Sequence, residues 1–169
     1  MDPALLVVAV ALVVLAGIVA VGLRRAKVTV PEGRWGVVDR LGRYRRTLTP
    51  GRYTLVPTVE TVLALVDMGE QVLNLPGTLV VTADNHTIPV DTVLRYQVVD
   101  PVRAVYEISD YRTGLAHLIA YALRAYLGGR NRDDAFASTT DTSRELRGII
   151  DPRADAWGIK VHDVTAEPA

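Results

Sequence analysis

The chain has 169 residues, and its 19 lysines and arginines are balanced by 19 aspartates and glutamates. This length suggests one domain, and the balanced charge gives no overall attraction to nucleic acid. The absence of cysteine excludes disulfides, thiolate metal sites, a cysteine nucleophile and palmitoylation. Any membrane attachment must therefore come from the polypeptide itself.

An uncharged apolar run opens the chain, from Pro3 to Leu23. About 20 helical residues at a rise of roughly 1.5 Å each span the hydrocarbon core of a bilayer, which is about 30 Å thick. A cleaved signal peptide fits less well, because Met1-Asp2 offers no basic start and the basic residues follow the run. The sequence predicts a retained transmembrane helix, with residues 1–27 forming the anchor and its basic flank.

The basic flank predicts the topology of the anchor. Basic residues are retained on the cytoplasmic side of a membrane, and Arg24, Arg25 and Lys27 all follow the apolar run. We therefore expect a single-pass protein of the cell membrane, with its N-terminus outside and residues 28–169 in the cytoplasm.

Residues 28–76 combine short β-branched runs with regularly placed proline and glycine, a pattern typical of strands and turns. A turn is predicted at Leu41-Gly42-Arg43. The predicted strands are Trp35 to Arg40, Gly51 to Val56, Val62 to Asp67 and Gln71 to Leu75.

Arginines crowd this strand region, and two interpretations of them stay open. They form either a solvated polar face or a surface that adheres to anionic lipid, at about 1 kcal/mol for each suitably placed charge. Nucleic acid is a weaker partner, because the arginines are not interleaved with stacking aromatics. The residues predicted as lipid contacts are Arg34, Arg43, Arg45 and Arg46.

The segment TADNHTIPVDTVLRYQVVDP, from Thr82 to Pro101, places Asp84, His86 and Asp91 within a few positions of one another. Such a set resembles metal ligands or an acid and base pair. The apolar residues from Ile88 to Val98 alternate, however, which predicts a half-buried strand with Asp91 on its polar face. Asp84-Asn85 then forms the turn that follows a strand from Thr78 to Ala83, so we predict a hairpin here, with no catalytic cluster.

Two helices and a strand are predicted in the remainder of the chain. An amphipathic helix follows Asp110 or Ser109 as its cap, with His117 off the apolar stripe and exposed. A second helix, from about Thr142 to Trp157, is expected to kink or break at Pro152. A final strand is predicted from Gly158 to Val164. The apolar stripe of the first helix consists of Leu115, Leu118, Ile119, Ala122 and Tyr126.

Three motifs in order, VPEGRWGVVDRLGRYRRTLTPG, TADNHTIPVDTVLRYQVVDP and AWGIKVHDV, together with the apolar run before them, closely resemble the SPFH or band 7 domain of stomatins, prohibitins and flotillins. The resemblance covers nearly everything from Val28 to Val164 and is nearest to prokaryotic stomatin-like proteins. It implies an α+β fold, mainly antiparallel β-sheet with packed helices, behind a transmembrane helix. A bacterial cell membrane is the expected location.

The resemblance also implies a function. Members of this family assemble at membranes into rings or cages, organise lipid and protein microdomains and regulate partner membrane proteins. The expected partners are the lipid bilayer, further copies of the chain, and a membrane protease, transporter or small β-barrel membrane protein. The family's C-terminal coiled coil is absent, since the sequence ends at Ala169, which means either a truncated chain or a short member and weakens the expected self-assembly.

Intrinsic enzyme activity is not expected. The sequence offers no G-x-S-x-G elbow, no phosphate-binding loop and no H-E-x-x-H, and its three histidines are scattered. His162 and Asp163, as neighbours on a strand, are expected on opposite faces. We predict no catalytic, metal or cofactor residue and no cofactor. An accessory subunit of a membrane protease is the alternative function, and an intrinsic hydrolase fits less well.

Overall fold

The secondary structure combines antiparallel strands with helices. A computed structural model of the chain describes residues 10–18, 20, 27–56, 59–131, 134, 136 and 139–169. Its strands are β1 (Lys27–Val30), β2 (Arg34–Arg40), β3 (Arg43–Leu48), β4 (Gly51–Thr54), β5 (Glu60–Asp67), β6 (Glu70–Val81), β7 (Thr87–Val98) and β8 (Ile159–Pro168). Its helices are α1 (Pro101–Tyr106), α2 (Tyr111–Leu127) and α3 (Thr139–Ala156). The α+β class expected from the sequence is confirmed.

About half of the predicted anchor from Pro3 to Leu23 lies outside the described residues. Within it, residues 10–18 and 20 are helical. No helix in the described part of the chain has both the length and the apolar composition needed to cross a membrane.

The chain divides into two compact units, Met1–Leu65 and Val66–Ala169. In the first unit, β1 pairs with β4, and β2 lies between β3 and β5. Four buried residues form its core, with Val28, Tyr53 and Val62 packed against them. These four are Val30, Val38, Leu48 and Leu55.

The second unit contains a three-stranded antiparallel sheet in the order β6-β7-β8. Along β7, buried and exposed side chains alternate almost without exception, as predicted. Its buried side faces the helices, since the Tyr96 ring lies edge-on to Tyr111 at the start of α2, with ring centroids 6.3 Å apart. The opposite side of the sheet, called the open face below, carries the exposed residues of all three strands.

Helix α2 confirms the sequence prediction in its cap and its stripe. The Asp110 carboxylate accepts hydrogen bonds from the backbone N–H groups of Arg112 and Thr113, which satisfies donors that the first turn leaves unpaired. The side-chain hydrogen bond from Thr113 is the main reason that the pKa of Asp110 is lowered. All five predicted stripe residues are buried, and His117 is exposed as expected.

Several strand predictions were wrong in extent. β1 and β3 were missed altogether, as was the short helix α1. β6 is one strand, where two were predicted, because a bulge between Leu75 and Thr78 absorbs Pro76-Gly77. The strand predicted from Gly51 to Val56 ends at Thr54, and β8 continues past Val164 to Pro168.

A kink or a break was predicted at Pro152, and the break was wrong, because α3 runs through this residue without interruption. Proline cannot donate to the carbonyl four residues earlier, which belongs to Gly148. Both residues are exposed, so water can hydrate that carbonyl.

Replacing Pro152 with alanine is expected to raise the free energy of unfolding by about 1–2 kcal/mol, because the missing hydrogen bond is restored in a helix that already exists. Urea unfolding followed by Trp157 fluorescence measures this, in a Trp35→Phe background that removes the signal of the first unit. Glu145→Ala, an exposed change in the same helix, is the control and should change the value by less than about 0.5 kcal/mol. A destabilised Pro152→Ala variant would contradict the expectation.

Two of the sequence motifs meet at one contact in the second unit. The Gly158 carbonyl accepts hydrogen bonds from the backbone N–H groups of Val99 and Asp100, at 2.9 and 3.0 Å. The Asp100 carboxylate in turn caps α1 through Val102 and Arg103. Gly158 has a φ of +71°, and a Cβ placed there would lie 2.6 Å from the Asp100 carbonyl oxygen. Asp100-Pro101 and Trp157-Gly158, which belong to different sequence motifs, therefore meet at this backbone contact.

Candidate functional site

Among the described residues of the first unit, the most exposed large apolar side chain lies at the tip of the β2–β3 hairpin. The Leu41 side chain is 78% exposed, and its φ of +53° is in the left-handed region. This conformation is unfavourable for leucine, whereas glycine or asparagine adopts it more easily. Gly42 follows with a φ of +82°. The two positive φ values describe a tight turn that presents the leucine to solvent.

Two arginines flank this leucine. Arg40 and Arg43 are directly opposite each other in the strand register, and like charges in that position repel. Both are exposed. Among the described residues, no carboxylate lies within ion-pair distance of either guanidinium. The tip therefore combines an exposed apolar group with two uncompensated positive charges, which is a binding arrangement for an anionic, partly apolar surface.

The structure separates the four predicted lipid contacts. Arg43 and Arg45 lie on β3 near the tip and are exposed. Arg46 instead forms an ion pair with Glu60 at 3.4 Å. Arg34 begins β2, roughly 20 Å along the strand from the tip. Arg40 and Leu41 were missed as site residues, because sequence alone shows that a turn exists but not which side chain it exposes.

The basic flank of the predicted anchor is described only in part. Arg24 and Arg25 lie outside the described residues. Lys27 begins β1, where it is exposed and pairs with Thr54 of β4.

The turn after β6 brings Asp84 and His86 together, and not Asp91. The Asp84 carboxylate lies 2.8 Å from the His86 Nδ1 atom and also accepts from the Thr82 hydroxyl. The Thr82 hydrogen bond is the main reason that the pKa of Asp84 is lowered. Asn85 has the positive φ expected of a turn residue, +62°. The hairpin prediction is confirmed, and the histidine has a carboxylate partner.

Asp91 has a separate role on the open face. Its carboxylate accepts a hydrogen bond of 2.7 Å from the backbone N–H of Gly77, inside the β6 bulge. A bulge leaves some backbone groups without a hydrogen-bond partner in the sheet. The Asp91 carboxylate is the partner of one such group, the Gly77 N–H. The aspartate that suggested chemistry in the sequence thus stabilises backbone geometry.

His162 and Asp163 contradict the prediction of opposite faces. β8 has a register shift opposite Arg95 and Tyr96, so the alternation of its side chains is interrupted. Asp163 lies 3.6 Å from Arg95, and His162 lies 3.3 Å from Gln97. Both partners belong to the open face, so both side chains lie over it. Across the described residues, no group of three or more histidine and acidic side chains is placed to hold a metal ion.

Comparison with known proteins gives a consistent family assignment. Residues 28–167 match the family model described as SPFH domain / Band 7 family. An uncharacterized protein of Mycobacterium tuberculosis is 39% identical over 132 residues, which is 78% of this chain and 35% of that protein. An uncharacterized protein of Methanothermobacter thermautotrophicus is 38% identical over 126 residues, covering 75% of this chain and 39% of that protein.

A named relative is also similar. Stomatin-like protein 2, mitochondrial, of Rattus norvegicus is 32% identical over 131 residues, which is 78% of this chain and 37% of the relative. The chain thus spans little more than a third of the length of these relatives.

Proposed function

This chain belongs to the SPFH domain / Band 7 family, and we propose that it works as a non-enzymatic scaffold that assembles at a membrane and regulates partner membrane proteins. Residues 1–27 are its proposed anchor, with Arg24, Arg25 and Lys27 at the cytoplasmic boundary. Residues 28–169 are the proposed scaffold domain, on the cytoplasmic side of the cell membrane.

The observation that carries the membrane part of this proposal is the β2–β3 tip. Leu41 supplies an apolar group of a size that can enter the headgroup region, while Arg40, Arg43 and Arg45 supply charge for anionic headgroups. Each suitably placed arginine contributes about 1 kcal/mol near an anionic surface. Repulsion between Arg40 and Arg43 is relieved when a phosphate lies between them. Arg46 contributes less than predicted, because Glu60 already neutralises it.

A fluorescent probe at the tip tests this contact. Because the chain has no cysteine, Leu41→Cys accepts a single environment-sensitive dye. On vesicles containing anionic phosphatidylglycerol we expect its emission to shift to the blue, and high salt or pure phosphatidylcholine should reduce the shift. The combined change Arg40→Gln and Arg43→Gln, which removes two positive charges, should reduce the population of the docked tip roughly 30-fold, which corresponds to about 2 kcal/mol.

Asn85→Cys is the matched control. Asn85 also lies at an exposed hairpin turn and has a positive φ. Its neighbours are Asp84 and His86, whereas arginines flank the β2–β3 tip. The emission of a dye at position 85 should stay that of a water-exposed probe on both kinds of vesicle. An emission from position 41 that equals the emission from position 85 on anionic vesicles would refute the lipid contact.

A further inference from the structure

The open face of the β6-β7-β8 sheet exposes more apolar surface than a solvated strand face requires. Its exposed apolar side chains are Val72 at 49%, Leu79 at 63%, Val81 at 51% and Val93 at 42%. In the strand register, Leu79 lies opposite Pro89, which extends the apolar surface across two strands. An exposed apolar group of this kind, bordered by polar residues, is typical of an interaction surface.

The charges on the open face are predominantly negative. Its carboxylates are Glu70, Asp91, Asp163 and Glu167, against Arg95 and Lys160. Arg95 is held between Glu70, at 3.9 Å, and Asp163, at 3.6 Å, so its charge is largely compensated. A shallow depression of about 300 Å³ lies among Val93, Asp163, Thr165 and neighbouring side chains.

The exposed side of helix α2 has the opposite character. Helix α2 contains no aspartate or glutamate, and its exposed side includes His117, Tyr121 and Arg124. The Arg153 guanidinium of α3 lies 4.9 Å from the Tyr121 ring centroid. We call this surface, His117, Tyr121, Arg124 and Arg153, the helix face. Beside it, a groove of about 270 Å³ reaches Ile108 and Trp157, which gives an apolar side chain a place to enter.

We propose that the open face of one copy of this chain docks on the helix face of a second copy. The two faces lie on opposite sides of the same unit, since the helices cover the other side of the sheet. One is acidic and apolar, and the other is basic and aromatic with an apolar groove, so they are complementary in charge and in shape. A contact between two different faces is head-to-tail, and its repetition gives a closed ring or an open filament of subunits.

The size of the open face determines how strong this contact can be. Three strands about 4.8 Å apart and about 40 Å long present roughly 550 Å², less than the roughly 800 Å² per partner of a standard stable interface. One contact alone is therefore weak in dilute solution. Attachment of many copies to one membrane raises their effective concentration. The inference therefore rests on the proposed function, from which it takes assembly at a membrane.

Cysteine cross-linking on vesicles tests the pairing, because every disulfide in this cysteine-free chain arises from introduced residues. Val93→Cys lies on the open face. Ala120→Cys replaces a half-buried residue of α2 that lies one helical turn from both His117 and Arg124 of the helix face. We expect mild oxidation of the double variant to give a ladder of dimers, trimers and larger species. A mixture of the two single variants should give dimers only. The control pair is Val93→Cys with Glu32→Cys, an exposed position in the first unit, and it should give no ladder.

Charge reversal provides a second test. The pair Asp163→Arg and Glu167→Arg, or the pair Arg124→Glu and Arg153→Glu, should reduce the cross-linked ladder about tenfold. A chain carrying all four changes should recover it, because each reversed face then meets its reversed partner. An equal mixture of the two pair variants should recover alternating species. Glu32→Arg, which changes charge outside both faces, should have no effect.

The outcomes separate this inference from the proposed function. Dimers formed by Val93→Cys alone would mean a sheet-to-sheet contact and would overturn the pairing. Large assemblies without the ladder would overturn the pairing and leave the scaffold proposal standing. Chains that stay monomeric on vesicles, with the tip docked as proposed, would overturn both the pairing and the assembly part of the proposed function. Circular dichroism of every variant distinguishes a lost contact from a lost fold.

Discussion

Replacing Gly158 with alanine is expected to lower the free energy of unfolding of the second unit by about 3 kcal/mol. Alanine at a φ of +71° costs about 1 kcal/mol by itself. The added Cβ would also lie 2.6 Å from the Asp100 carbonyl oxygen and 2.7 Å from its Cβ. Relief of this overlap moves two backbone segments apart and weakens the hydrogen bonds that Val99 and Asp100 donate to the Gly158 carbonyl, each of which contributes about 1 kcal/mol.

Gly148→Ala is the matched control for this change. Gly148 lies inside α3, where its added Cβ meets no atom within 4 Å, so alanine should raise stability by about 0.5–1 kcal/mol through helix propensity. Urea unfolding followed by Trp157 fluorescence compares the two variants directly. Equal effects of the two glycine changes would disprove the steric account of Gly158.

Replacing Tyr96 with alanine is expected to cost about 4 kcal/mol, because it leaves a cavity the size of an aromatic ring in the centre of the second unit. Tyr96 is fully buried. Its hydroxyl donates to the Gln71 side chain at 3.1 Å, and its ring contacts Tyr111 edge-on. Tyr96→Phe keeps the ring and removes only the hydroxyl, so its cost should be about 1 kcal/mol. A similar loss for both variants would mean that the ring contributes little.

Tyr96 also makes stability depend on alkaline pH. Burial, with a smaller contribution from Tyr111, raises the pKa of the Tyr96 hydroxyl. The unfolded tyrosine therefore loses its proton first, near pH 10, so stability is complete below that pH and is lost as pH rises toward the higher folded pKa. Urea titrations between pH 8 and about pH 11 should show a steeper loss for the native chain than for Tyr96→Phe.

Regular amphipathic elements could be predicted from the sequence, whereas local compensations could not. The alternation along β7 and the Asp110 cap of α2 were predicted correctly, because one buried face and one cap residue determine each of them. β3 was missed because RYRRTL has no apolar alternation and its first four residues are exposed. Its strand structure depends on pairing with β2, which sequence alone does not indicate.

Pro76-Gly77 and Pro152 misled the prediction for a related reason. The predicted strand ended before Pro76, and the predicted helix was expected to kink or break at Pro152. In the fold, the Asp91 carboxylate binds the Gly77 N–H within the bulge, and solvent reaches the carbonyl that Pro152 leaves unpaired. The bulge in β8 likewise placed His162 and Asp163 on one face. These compensations come from residues distant in sequence or from water, so no local pattern indicates them.

The four arginines predicted as lipid contacts do not lie together in the fold, and the prediction did not include Arg40 or Leu41. Counting arginines cannot distinguish Arg46, which Glu60 neutralises, from Arg43, which no described carboxylate approaches. Counting arginines also overlooks Leu41, because a leucine side chain is normally expected to be buried. Exposure and backbone conformation together distinguish the tip.

The arrangement of strands around β7 has a consequence for the order of folding. Its pairing with β6 closes over a short turn and can form within microseconds. Its pairing with β8 joins residues roughly 60 to 80 positions apart. During synthesis the unpaired edge of β7 therefore remains available to other chains until the residues of β8 have left the ribosome. Neighbouring nascent chains can pair at this edge. Misassembly there is therefore prevented only when β8 has paired with β7.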